Sequence, residues 1–212
     1  MKYSKALDDL LGQKSKLKIL RHLSNTKMEM SGRQIASEIG MSPWVCHQAL
    51  KELSAQGVVL MRNVGNTHLF RINERNYLVA EVLMPLFEAE EGLLDAAISE
   101  IVQGLEDRIT SIVLYGSISR GEEEPTSDFD LLVVVPTSND TKSAEDFFAI
   151  KNDYFISRFG NVLSPLILAA REFQERYRGG DQLIREIANT GRVVYGKSIS
   201  EVITYAPQED QN

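Results

Sequence analysis

The sequence predicts an α+β protein in two folded parts: helices closed by a β-hairpin, then a helical connector, then a small α/β unit on a mixed sheet. Three observations predict it. Residues 14–57 place apolar side chains at helical spacing between capping residues. "VVLMRNVGNTHLFRI" is two β-rich runs about a Gly65-Asn66 turn. From residue 109 onward, apolar runs of strand length alternate with amphipathic helical stretches.

In chain order, "KSKLKILRHLSN" sets Leu17, Ile19, Leu20 and Leu23 at helical spacing, and "SGRQIASEIG" opens on Ser31 as N-cap and closes on Gly40. "MSPWVCHQALKELSAQG" supplies Ser42 as N-cap, Pro43 at the first helical position and Gly57 as the stop. The two helices are joined by a very short turn at Gly40 and Met41, the helix-turn-helix spacing. The connector, residues 76–107, is rich in helix formers and carries a long apolar stripe, with Pro85 and Gly92 as weak points. So apolar a connector is expected to pack on the second part or to pair two copies in a homodimer.

The second part reads as strands in "ITSIVLY", "DFDLLVVV" and "NVLSPLILA" and helices in "SAEDFFAIKNDYFISRFG", "REFQERYRG" and "DQLIREIANTG". A short "RVVYG" ends it, with the helices expected on one side of a mixed sheet. The expected boundaries are 1–75, 76–107, 108–200 and a tail at 201–212, loose at "PQEDQN".

The 212 residues leave room for one large or two small domains, and 43% hydrophobic with 25% charged residues is ordinary soluble composition. No stretch approaches the roughly 18 apolar residues of a membrane helix, and the N-terminus lacks a signal-peptide core. The expectation is a cytoplasmic protein without a membrane partner. Cys46 is the single cysteine, which excludes an internal disulfide and agrees with a reducing compartment. The net charge of -7 divides unevenly: residues 1–75 hold 12 Lys+Arg against 6 Asp+Glu, the remainder 11 against 24. A basic first part attracts a phosphate backbone; an acidic second part repels one unless metal intervenes.

Helix, helix-turn-helix and hairpin in that order resemble a winged-helix DNA-binding domain over about residues 10–75. The resemblance implies that the second helix of the pair enters the major groove of double-stranded DNA and that the hairpin wing follows the backbone or minor groove. It assigns DNA contacts to Arg33, Ser42, His47, Gln48 and Lys51, and in the wing to Arg62, Asn66, His68 and Arg71. Gln48 suits a base edge and Lys51 a phosphate. Trp44 is left between a place under the wing and a place on the DNA side.

"GSISRGEEEPTSDFDLLVV" carries the chemistry of the second part. Asp128 and Asp130, two residues apart on an extended chain, point to one face and repel each other unless a cation lies between them. Gly-Ser after a strand, ten residues, then Asp-x-Asp is similar to the signature of polymerase β-like nucleotidyltransferases, in particular their minimal members, over residues 109–196. The resemblance implies that Gly116 and Ser117 approach the phosphates of ATP or another NTP. It implies that Asp128 and Asp130 are catalytic residues holding divalent metal, Mg²⁺ first among them, and that Arg120 steadies a phosphate or pairs with Glu122–Glu124. The activity implied is transfer of a nucleoside monophosphate to a hydroxyl of a small molecule, a nucleic-acid end or a protein acceptor, in a regulatory or toxin–antitoxin setting.

Active members usually add a third carboxylate on a neighbouring strand. Here that position falls on Ser164, with Asn161 nearby, unless Asp153 or Glu172 takes its place. The alternative is therefore a non-catalytic transcriptional regulator whose second part only senses nucleotide or metal.

Overall fold

The computed structural model describes residues 4–105 and 109–204, and the chain separates into two compact units, 1–93 and 94–212. The first begins with α1 (Ala6–Leu11) and α2 (Lys14–Thr26), then β1 (Met30–Ser31), α3 (Gly32–Glu38), α4 (Pro43–Ala55), β2 (Val59–Val64) and β3 (Thr67–Ile72). A π-helical turn at Val79–Leu83 and α5 (Met84–Glu91) complete it. Both joints of the helix-turn-helix form from local chemistry. Ser31 accepts from the Gln34 amide while the Gln34 side chain accepts from the Ser31 amide, a reciprocal cap. At the far end of α3, Gly40 takes a positive φ of 60° and the Met41 amide donates to the Ala36 carbonyl at 2.8 Å, so the chain leaves the helix within two residues. Ser42 precedes α4 without a side-chain cap bond.

The wing is a hairpin whose turn has Gly65 alone at positive φ, as a type II′ turn requires. The structure adds a third strand to it: β1 pairs antiparallel with β3, giving the order β1-β3-β2. Ile19, Leu20, Leu23, Ile35, Leu50, Leu53, Phe70 and Ile72 fill the core beneath. Lys16 is buried at its edge, donating to the Asp9 carbonyl at 2.9 Å and pairing with Glu52 at 2.7 Å. This is the winged-helix arrangement, with α1 and β1 added to the expected three helices and hairpin.

The expected connector is not one element. Pro85 lies in the first turn of α5 behind the π-helical turn, Gly92 ends α5, and α6 (Leu93–Val102) follows. Val79, Leu83 and Phe87 pack into the first unit's core; Ala97, Ile101 and Leu105 pack into the second's.

In the second unit β4 (Ser111–Leu114), α7 (Gly116–Arg120), β5 (Phe129–Val135), α8 (Thr141–Phe159) and β6 (Leu163–Ala169) are followed by α9 (Ala170–Gly179), α10 (Gln182–Thr190), β7 (Arg192–Gly196) and α11 (Ile199–Thr204). The sheet order is β6-β5-β4-β7; β5 and β6 are parallel and the other pairs antiparallel, a mixed sheet as expected.

The helices do not lie on one side. Leu131 and Val133 of β5 pack with α6 and α8 through Ile101, Phe148 and Phe155. Leu132 and Val134 pack with α9, α10 and α11 through Phe173, Ile184, Ile187 and Val202. An apolar run without alternation is what a strand covered on both faces needs. The expected tail boundary also moves, because residues 201–204 belong to α11 with Val202 buried, while "PQEDQN" lies outside the described residues.

Candidate active site and nucleic-acid interface

Asp130 is the second residue of β5 and shares the face of Leu132 and Val134, while Asp128 stands exposed just before the strand. Across the sheet, β4 ends and α7 begins at Gly116, where φ is +74°. A Cβ built on Gly116 would lie 2.2 Å from Oδ2 of Asp130, so glycine is required there both by conformation and by the carboxylate packed against it. The Tyr115 amide donates to the Asp130 carbonyl at 3.0 Å and closes the junction.

Burial and the like charge of Asp128 push the Asp130 carboxyl above its ordinary value, against the opposing pull of Arg120. Burial and the charge of Asp130 likewise raise the Tyr115 phenol. The loop entering Asp128 is braced: Asn161 Nδ2 donates to the Ser127 carbonyl at 2.8 Å, and the Glu124 amide donates to Ser127 Oγ at 2.8 Å. Arg120 donates from Nε to Glu122 at 2.9 Å, and its guanidinium also feels the charges of Glu186 and Asp130. Gly116, Ser117, Asp130 and Arg120 thus come from one continuous segment. Glu186, on α10, gave no signal in the sequence because only the fold brings it toward Arg120.

In the first unit the expected DNA contacts divide into two groups. Arg33, His47, Asn66 and His68 line one concavity of about 540 Å³ between α3, α4 and the wing. His68 Nδ1 and Asn63 Oδ1 lie 2.6 Å apart on the wing face that carries Phe70 toward the core. Arg62 and Arg71 lie on the other face of the wing, where both meet Glu29: Arg62 Nε lies 3.1 Å from it and Arg71 Nε 3.9 Å. The hydrogen bond from Arg62 holds the Glu29 carboxyl below its ordinary value. Ser42, Gln48 and Lys51 are exposed on α4 or at its start. Trp44 is 71% exposed and does not pack under the wing.

Residues 96–193 match the nucleotidyltransferase domain family. The "Putative protein adenylyltransferase MJ1305" of Methanocaldococcus jannaschii is 30% identical over 109 residues, spanning 50% of this chain and 71% of that protein. The chain belongs to the nucleotidyltransferase domain family. Structures similar to other parts of it include the AntR antimony-specific transcriptional repressor, at 20% identity and a TM-score of 0.36, over 43% of this chain and 76% of that one. The homodimeric winged helix-turn-helix DNA-binding domain Mb0332 of Mycobacterium bovis is 25% identical with a TM-score of 0.31, over 45% of this chain and 88% of that one. The winged-helix assignment rests on its own element order and strand register.

In this nucleotidyltransferase domain the strand beside Asp130 is β6, and the residue in register with it is Ser164. Paired residues of neighbouring strands share a face, so Ser164, where a third carboxylate was expected, shares the face of Asp130. Asp153 lies on α8, which covers the other face, and Glu172 approaches Arg176 within α9 at 3.9 Å. Among the described residues no group of three or more His, Cys, Asp or Glu side chains converges on a point, and no helix is long and apolar enough to cross a membrane.

Proposed function

We propose that the chain is a DNA-binding protein whose second unit is a metal-dependent nucleotidyltransferase, taking ATP or another NTP and transferring the nucleoside monophosphate to a hydroxyl acceptor. The observation that carries this is the junction of Gly116 and Asp130, where a carboxylate sits against a side-chain-free backbone position at the opening of α7. Two acids, of which Asp130 is made harder to ionise by burial and by the charge of Asp128, form a donor set that fits a hard divalent cation such as Mg²⁺. When bound there, the cation would neutralise charge on the nucleotide phosphates and on the departing pyrophosphate. Asp128 and Asp130 would hold it. The amides of Gly116 and Ser117, at the half-buried opening of α7, with the Ser117 hydroxyl, would donate to phosphate oxygens, and Arg120 would steady a phosphate on leaving Glu122.

The likeness to a protein adenylyltransferase favours a protein hydroxyl as acceptor and AMP as the group transferred. The first unit would place this activity at double-stranded DNA, with Gln48 at a base edge and Lys51, Arg33 and the wing at phosphates, in a regulatory or toxin–antitoxin setting. Tyr77, Leu86 and Leu93 remain exposed on the connector, an apolar set that suits pairing of two copies.

One observation favours a second reading. With Ser164 in register with Asp130, no third carboxylate among the described residues joins the pair to take the acceptor proton, which suits a regulator that holds nucleotide or metal without turnover. Replacing Asp128 and Asp130 together by Asn tests the common core of both readings. The double variant is expected to melt with the parent and to lose Mg²⁺-dependent ATP binding by calorimetry; equal ATP affinity would refute the site. Transfer of label from α-³²P-ATP to protein in the parent then separates enzyme from sensor.

A further inference from the structure

Trp44 is the single tryptophan of the sequence, and it stands 71% exposed at the start of α4, just after Pro43. Val45 beside it is exposed as well. The core does not need either residue, because α4 is anchored through Cys46, Ala49, Leu50 and Leu53 on its other side. An indole left in water forgoes the transfer free energy of a large apolar surface, so its neighbours indicate what covers it.

Those neighbours are polar and basic. His47, Gln48 and Lys51 continue the exposed flank of α4, and Arg33 and His68 line the concavity that His47 shares. An apolar edge on the same basic unit as Arg33 and Lys51 matches a polyanion that also presents apolar groups. Duplex DNA does so in the major groove, where the C5-methyl of thymine is the one apolar group on the base edges and is read by apolar contact. Gln48 lies four residues after Trp44, hence on the same face one turn along, so a hydrogen bond to an adenine edge and an apolar contact to a thymine would come from one stripe.

We infer that Trp44, supported by Val45, is a specificity-determining contact that reads thymine methyl groups in the major groove. The inference rests on the proposed DNA binding and deepens it from attraction to sequence choice.

The test uses the full chain and a duplex enriched from a random library by repeated rounds of binding to it. Each thymine is then replaced by deoxyuridine, which removes the methyl and keeps the O4 acceptor. The parent is expected to lose about 4-fold in affinity for each thymine contacted, the value of one buried carbon. Trp44→Ala should bind more weakly and be indifferent to the replacement, and Trp44→Phe should retain part of the discrimination. Tryptophan emission, which reports from this position alone, should shift to the blue and become shielded from iodide on binding. Equal affinity of the parent for both duplexes, or unmoved emission, overturns the inference and leaves DNA binding standing. Trp44→Ala binding as the parent does also overturns it, assigning the indole to a protein partner. A library from which nothing is enriched overturns the DNA-binding reading itself and this contact with it.

Discussion

Burial, and after it the repulsion of Asp128, leave the Asp130 carboxyl harder to ionise than usual against the pull of Arg120. A third acid nearby would steepen that cost without a cation and deepen the cation's well with one. Ser164 allows this to be built, because it is in register with Asp130 on the adjacent parallel strand. Ser164→Asp is expected to lower the melting temperature of the metal-free protein and to tighten Mn²⁺ binding on the order of 10-fold, the scale on which metal-site substitutions act. Titration followed by electron paramagnetic resonance measures it. Unchanged Mn²⁺ affinity would mean that the two side chains diverge despite their shared register.

Charge pairs also join neighbouring elements. Beside the wing, Glu29 accepts from Arg62 and faces Arg71, the two arginines proposed to meet phosphates. Glu29→Gln is expected to raise affinity for duplex DNA and to steepen its fall with salt by about 1 in the logarithmic slope for each arginine released, readable by fluorescence anisotropy across a salt series. At the start of α10, Asp181 accepts from the Ile184 amide and pairs with Arg176, and these partners hold its carboxyl below the ordinary value of 3.8. A lowered folded-state pKa means that the stabilising contribution is present above 3.8 and is lost as the pH falls through the folded value. Asp181→Ala should therefore melt below the parent at neutral pH and converge with it in strong acid, as thermal scans by circular dichroism would show.

How far such elements could be read from sequence followed from whether their signal was local. The Ser31 cap, the Gly40 turn and the Gly65-Asn66 hairpin were legible because a few adjacent residues decide each. The mixed sheet and the place of Ser164 followed from strand order. Strand β1 was not legible: two residues have no periodicity, and Ser31 already served as a helix cap. The layer of α9 to α11 on the second face was missed because an apolar run in β5 states that both faces are covered without naming the elements that cover them. The meeting of Arg62 and Arg71 at Glu29, and of Arg120 with Glu186, depends on contacts far apart in the chain.

At the scale of the whole molecule, the basic and acidic halves correspond broadly to units with separate cores, the first drawn from residues 10–87 and the second from 97–202. Phe155 is fully buried in the second, with its ring 5.1 Å from that of Phe129 next to the two aspartates. Phe155→Ala is expected to cost the second unit about 3–5 kcal/mol. Calorimetry should show one transition moving down while DNA affinity stays at the parent value; a parallel loss of DNA binding would show that the units do not fold separately.

Ser31 is at once the last residue of β1, paired with Leu69 of the wing, and the cap of α3. No linker therefore separates that side of the wing from the helix-turn-helix. A hinge cannot open there without breaking strand pairing and helix cap together, so hairpin and helices meet a ligand as one preformed template, and little ordering entropy is lost when they dock.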